Sequence, residues 1–228
     1  MIKLLERKGL AFGADTNAST GFDATEYKLD LPNASDDLVD TALMLMRETA
    51  SELTISDAAV ERERGIILSE RRARDTFQLR NLVASLGFYF PDMLLKDRLP
   101  IGTEAVIRQA PAQRLRDFYE AYYRPERAAL VIVGDFDVAA MEAKLTARFA
   151  DWRGRGTEGA NPAIGRLDPA RAPAADIFVD PAIGDGVALT RFRPWTFEAD
   201  TRARRTRLIT EGLGTAILNR RFERLALA

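Results

Sequence analysis

The sequence predicts an α+β fold. Three observations carry that expectation. Residues Thr25 to Leu31 alternate, with Tyr27, Leu29 and Leu31 on one side and Glu26, Lys28 and Asp30 on the other, the period-2 pattern of a half-buried strand. From Asp36 to about Leu53, the residues Leu38, Ala42, Leu43, Leu45, Met46 and Ala50 recur at helical spacing and mark one apolar face. Ala128 to Val133 is a short, unbroken apolar run rich in β-branched residues, which reads as a buried strand between two helices.

Taken in order, the elements begin with Met1-Ile2-Lys3-Leu4-Leu5-Glu6-Arg7-Lys8, the tail of an amphipathic helix stopped by Gly9 as its C-cap. This opening lacks the apolar run of about 7–15 residues that a signal peptide needs. Residues 10–31 read as strands, with Asn17-Ala18-Ser19-Thr20-Gly21 a turn-rich segment between them. Pro32 and Asn33 end the second strand, and Ser35 or Asp36 caps the helix that follows. Ser56 or Asp57 caps the next, a heavily charged helix from Ala58 to about Leu82. Pro91, Pro100 and Gly102 punctuate a loop, and Pro111 opens a helix on which Leu115, Phe118, Tyr119 and Tyr122 share a face. After the 128–133 run, Gly134-Asp135 turns the chain into a helix from about Val138 to Phe149.

Residues 151–175 carry glycines, three prolines and few apolar side chains, and read as a linker. Beyond it come two expected strands, Ile177–Val179 and Val187–Phe192, and a helix from about Thr201 toward the end. The expected organisation is a first domain over 1–150, a linker over 151–175 and the start of a second over 176–228. Both ends read as cut, with no C-cap after Leu225-Ala226-Leu227-Ala228.

Composition closes several routes. The 228 residues carry a net charge of −1, so nothing global attracts nucleic acid or an acidic membrane. There is no cysteine, which excludes disulfides, thiolate metal sites and thiol nucleophiles. There is no histidine either, so no imidazole serves as base or metal ligand. Arg202, Arg204, Arg205 and Arg207 scatter around a helix among Leu208 and Ile209 and read as a solvated face rather than a phosphate site. Gly134-Asp135-Phe136-Asp137 is a strand-to-helix turn without the glycine-rich loop of a nucleotide site.

What remains for chemistry is the run Glu61-Arg62-Glu63-Arg64-Gly65-Ile66-Ile67-Leu68-Ser69-Glu70. Glu63 and Glu70 are seven apart, within about 20° of one helical stripe, with Cα atoms about 10 Å apart. Ile66 and Ile67 fall between them, so two carboxylates flank an apolar patch where an unpaired charge is costly. At that spacing the two do not readily share one ion; one would be a ligand and the other a supporting carboxylate. The plain alternative is a solvated helix whose glutamates pair with Arg62, Arg64, Arg71, Arg72 and Arg74.

Three segments in order resemble one family. FGADTNASTGFDATEYKLDLP, ERERGIILSE and FYEAYYRPERAALVIVGDFD are similar to the strand pair beside the active site, the glutamate helix and the segment closing the first domain of the insulinase and pitrilysin peptidases, the inverted zincins. The resemblance covers nearly the whole chain, most firmly 1–150. It implies a largely antiparallel sheet with helices on one face, a metallopeptidase-like two-layer domain followed by the start of a related second domain. In that family zinc is held by two histidines of a His-x-x-Glu-His motif and a distant glutamate, and the motif's own glutamate is the general base. The resemblance puts Glu70 at the third-ligand position, Glu63 at the supporting carboxylate, and Asn17 and Ala18 beside the bound peptide, which adds to an open sheet edge. Read without the resemblance, Asn17 and Gly21 are equally a plain polar turn.

Family spacing sets the second histidine roughly 75 residues before Glu70, upstream of Met1. Glu63 and Glu70 are therefore expected as remnants. The expected function is that of a fragment of a zinc-dependent metalloendopeptidase, inactive alone, with zinc and a peptide substrate belonging to the parent. A non-catalytic peptide-binding or scaffold subunit is the alternative, and a misplaced start codon a third. No nucleic-acid partner and no transmembrane segment are expected. Partner subunits and compartment stay open, with a periplasmic or secreted parent compatible with the family.

Overall fold

A computed structural model of the chain describes residues 7–10, 13, 15–192 and 196–226. The expected opening helix falls largely on residues 1–6, outside the described residues; of its end, Arg7 is helical and Gly9 turns the chain with φ +81°, a conformation glycine adopts without a Cβ clash. Strand β1 (Thr16–Thr20) pairs antiparallel with β2 (Thr25–Leu29). The helices are α1 (Asp36–Ser51), α2 (Asp57–Ala73), α3 (Phe77–Tyr89), α4 (Glu104–Gln109), α5 (Ala112–Tyr122), α6 (Val138–Phe149) and α7 (Arg202–Ala226). Short 3₁₀ turns stand at Leu94–Asp97 and Pro125–Arg127. The α+β class holds, with an antiparallel ladder and helices packed against it.

Helix α1 organises the core because its apolar residues serve two directions. Leu38 and Leu45, seven apart, cluster with Leu10 and are covered by Leu29, Leu31 and Met44. Val39 and Leu43, rotated about 100–140° from Leu38 on the helix, meet Met141 of α6, with Ile132, Phe136, Leu145 and Phe149 around them. So the hairpin's inward face rests on one side of α1 and α6 on another. All four of these α1 side chains are at most 8% exposed.

Several expectations need correction. Asn17 to Thr20, read as a turn, is strand β1: its backbone pairs with Thr25–Lys28, and the turn proper is confined to 21–24, closed by Gly21 N–H donating to Ala24 O at 2.8 Å. The long charged helix does not run to Leu82. It ends at Ala73, and the Thr76 hydroxyl accepts from Leu79 N–H to start α3, a local bond that competes with continuing the helix. Residues 128–133, Ile177–Val179 and Val187–Phe192 form no strand among the described residues. A strand needs a neighbouring backbone to bond, and none of the described residues pairs with them.

Residues 152–165 are held closely despite their linker-like composition. Trp152 is buried, the Tyr122 hydroxyl donates to Ala160 O at 3.0 Å, and Arg124 donates to Arg155 O at 2.9 Å. Arg127 grips Glu158 at 2.9 Å. Gly159 permits this approach: a Cβ there would lie 2.4 Å from the Tyr122 ring.

By contacts the chain divides into two units. One ends at Arg166 and takes in Ala174–Gly184; the other comprises Leu167–Pro173 and the stretch from Asp185 onward. The second is built on α7, whose Leu208, Ile209, Leu213, Ile217, Leu218 and Phe222 are all about half exposed or more. No helix among the described residues is long and apolar enough to cross a membrane.

Candidate functional site

Helix α2 carries both candidate carboxylates. Ser56 caps it, its hydroxyl accepting from Ala59 N–H at 3.3 Å, and Asp57 in the first turn complements the helix dipole. Just before the cap, Ile55 is the one non-glycine residue with positive φ among the described residues, at +42°, and the Arg116 guanidinium donates to its carbonyl at 2.8 Å. That conformation is unfavourable for a β-branched residue, and the arginine from α5 helps hold it at the point where α2 is aimed.

One side of α2 is committed to packing. Leu68 is 8% exposed, and the Arg64 guanidinium donates to Ile107 O and, at 2.9 Å, to Ala110 O beyond α4. The stripe with Glu63, Ile66, Ile67 and Glu70 lies about 100–160° around the helix from Leu68. It is open: Ile66 is 58% and Ile67 38% exposed. Both carboxylates are met by arginines on the same helix or at its end. Glu63 Oε1 accepts from Arg62 Nε at 3.2 Å, and Glu70 Oε1 lies 2.6 Å from Arg74. Such exposed pairs contribute a few tenths of a kcal/mol at most.

These residues alone do not fit a zinc ion. No three histidine, cysteine, aspartate or glutamate side chains converge among the described residues. Zinc needs about three protein ligands plus an open position; the one ligand candidate on α2, Glu70, is paired with Arg74.

Asn17 and Ala18 lie mid-way along β1, opposite Lys28 and Tyr27. The flanking bonds, Gly21 N–H to Ala24 O and Asp30 N–H to Asp15 O, set the ladder's phase. Antiparallel pairs alternate between bonded and non-bonded. Asn17–Lys28 and Ser19–Glu26 are therefore bonded pairs, and the backbone groups of Thr16, Ala18 and Thr20 point away from β2 to the open edge. The Ala18 N–H is taken locally, donating to Asn17 Oδ1 at 2.8 Å.

The sequence reading missed the tyrosines that support this hairpin. The Tyr27 and Tyr123 hydroxyls are 2.6 Å apart, and the Tyr123 ring lies 4.6 Å from that of Tyr119. Tyr119, 7% exposed, donates to Thr49 O at 2.7 Å and accepts from Leu53 N–H at 3.4 Å. Burial, and then the Tyr123 hydrogen bond, push the Tyr27 phenol well above the ordinary tyrosine range; burial also raises Tyr119. The advance signals were Tyr27 on one side of its strand and Tyr119 on the shared face of its helix, and nothing in the sequence pairs them. Below Tyr119 is a shallow cleft whose Glu52 carboxylate accepts from Ser51 and pairs with Arg155 at 2.7 Å, contacts that lower its pKa in that order.

Comparison with known proteins agrees with this geometry. Residues 1–87 match the family model described as Insulinase (Peptidase family M16), and residues 109–184 match that of the Peptidase M16 inactive domain. The probable zinc protease PqqL of Escherichia coli is 31% identical over 137 residues, 60% of this chain and 15% of the relative. The zinc protease PQQL-like of Arabidopsis thaliana is 35% identical over 136 residues, 60% of this chain and 14% of the relative. The chain thus spans about one seventh of the length of these relatives. The crystal structure of the first half of the periplasmic protease PqqL from Escherichia coli superposes with a TM-score of 0.68 at 26% identity, covering 74% of this chain and 36% of that one. Two models of one family, matched in order along the hairpin, the glutamate helix and the segment after α4, lead to one conclusion: the chain belongs to the insulinase and pitrilysin type of zinc metallopeptidases, peptidase family M16.

Proposed function

We propose that this chain is part of a zinc-dependent metalloendopeptidase and is catalytically silent by itself. Its contribution to the centre is Glu70 as a zinc ligand and Glu63 as the carboxylate that supports it, while Asn17 and Ala18 on the open edge of β1 receive the peptide. The observation that carries the reading is the open stripe of α2, where both glutamates flank exposed Ile66 and Ile67. An apolar patch bracketed by carboxylates is a surface on which another element packs. Two imidazoles and a general base must come from outside these 228 residues, which contain no histidine. The proposed organisation is a peptidase-like domain over 1–150, a linker over 151–175 and the beginning of a related domain over 176–228. The named periplasmic relative supports a periplasmic setting for the whole protein.

The test begins with the coding sequence that precedes the first codon. If it encodes His-x-x-Glu-His in frame, the extended protein should hold one zinc and cleave a quenched fluorescent peptide. Glu70→Gln should abolish both, and Glu63→Gln should weaken both by about 10–100-fold. Loss of neither overturns the assignment. A replaced motif would instead support a non-catalytic peptide-binding subunit. The 228-residue chain should give no hydrolysis above buffer; turnover by it would end the proposal.

A further inference from the structure

We propose that Tyr27 and Tyr123 form a latch that holds the open edge of β1 in place for peptide addition, with Tyr123 as its positioning residue. This rests on the reading of Asn17 and Ala18 as the peptide-receiving edge. The base of the hairpin is already secured, because Leu29 and Leu31 pack into the α1 core. Its tip has only the Gly21–Ala24 turn bond and a 3.5 Å contact between the Thr20 and Thr25 hydroxyls. Between base and tip stands Ala18, and its cross-strand partner is Tyr27. Tyr27 is 40% exposed, so burial alone does not fix it.

What fixes it is a chain of contacts into the helical body. The Tyr27 hydroxyl meets that of Tyr123 at 2.6 Å, with the rings edge-on at 6.3 Å. Tyr123 closes α5, its N–H donating to Tyr119 O at 2.8 Å, and stacks on Tyr119. Tyr119 is buried, and its hydroxyl donates to Thr49 O in the last turn of α1 and accepts from Leu53 N–H in the loop after it. A two-stranded hairpin is marginal in water. A peptide that adds a third strand binds more tightly to an edge that needs no ordering. The latch thus joins the residues opposite the peptide edge to the most deeply anchored aromatic of α5.

The test compares the wild-type chain with Tyr27→Phe, Tyr123→Phe and the double variant. Tyr122→Phe, whose hydroxyl bonds Ala160 instead, is the control. Amide hydrogen exchange is read at Asn17 and Ser19, the ladder amides of β1, and at Leu43 and Leu45 in α1. Each single Phe variant should speed exchange at Asn17 and Ser19 about fivefold, the loss of one neutral hydrogen bond. The double variant should be no faster than either single, because only one bond exists to lose. Exchange at Leu43 and Leu45, and in the Tyr122→Phe control, should not change. Unchanged ladder amides, multiplying effects, equal loosening of α1, or a wild-type hairpin with no protection each overturn the latch. A second arm adds a short unstructured peptide of alternating valine and lysine. It should protect Thr20, whose N–H points to the open edge, in the wild type, and about fivefold more peptide should be needed in the Phe variants. If no peptide protection is seen while the ladder amides respond, the latch stands and the peptide-edge reading of Asn17 and Ala18 falls.

Discussion

The hairpin at 16–29 and the run at 128–133 are both strand-like in composition, yet they end in different conformations. In the hairpin, β1 and β2 bond each other across a four-residue turn, and the alternation puts Leu29 against α1 while Lys28 faces out. The 128–133 run is the more apolar of the two, but only Ile132 reaches the core, and Val131 and Val133 are 79% and 91% exposed. The difference lies in where the partner comes from. A hairpin carries its own partner a few residues away, so closing its loop costs little entropy. The 128–133 segment depends on a strand from elsewhere, and none of the described residues supplies one. Apolar content alone does not make a strand; an available ladder does.

That contrast can be tested by unequal responses to like substitutions. The largest gap should come from truncation. Leu43→Ala in α1 should cost about 3 kcal/mol through the cavity it leaves, whereas Val133→Ala should stay within about 0.5 kcal/mol, both read from urea unfolding. Equal costs would mean that the 128–133 run is packed after all. Proline probes the backbone directly. Ser19→Pro removes a ladder donor and should cost about 2 kcal/mol; Val131→Pro, with no ladder bond to lose, should cost less than about 1 kcal/mol. A reversal would place the run in a sheet.

Alkaline pH offers a milder probe of the hairpin's support. The Tyr27 phenol titrates above its unfolded value, so its contribution to stability is whole below about pH 10 and is lost as pH rises through the folded value. The urea midpoint should fall as pH rises above about 10, and fall less in Tyr27→Phe. An identical fall in both would show that Tyr27 is not shielded. The smallest effect belongs to the open stripe of α2. Glu70→Gln breaks an exposed pair with Arg74 and should shift stability by less than about 0.5 kcal/mol. A larger loss would mean that Glu70 supports the fold rather than standing free for chemistry.

The boundaries of α1 and α6 were legible because a helix satisfies its backbone within itself, and its capping residues and 3.6-residue pattern are local. Glu63 and Glu70 were legible on one stripe of α2 for the same reason. The break at 74–76 was less so, since it is made by the Thr76 cap together with turn bonds from Asp75 and Thr76 N–H to Arg72 and Arg74 O, which no periodic pattern announces. Thr16–Thr20, composed of residues common in turns, became a strand because Thr25–Leu29 lay within reach to bond it. The tyrosine relay from Tyr27 through Tyr123 to Tyr119 joins residues 96 positions apart at its first step, and no spacing rule reaches that far.

The sequence by itself determined α1 and α6, the apolar face of α1, the absence of any imidazole or thiol, and the common stripe of the two glutamates. Each of these follows from composition or from periodicity within one element. Tertiary structure alone decided which strand-like runs found partners, why the glycine-rich stretch after Trp152 is clasped against α5, and what supports the edge at Ala18. Those outcomes depend on contacts between distant segments, where hydrogen-bond partners and covering side chains are available or not, and a one-dimensional pattern does not record that availability.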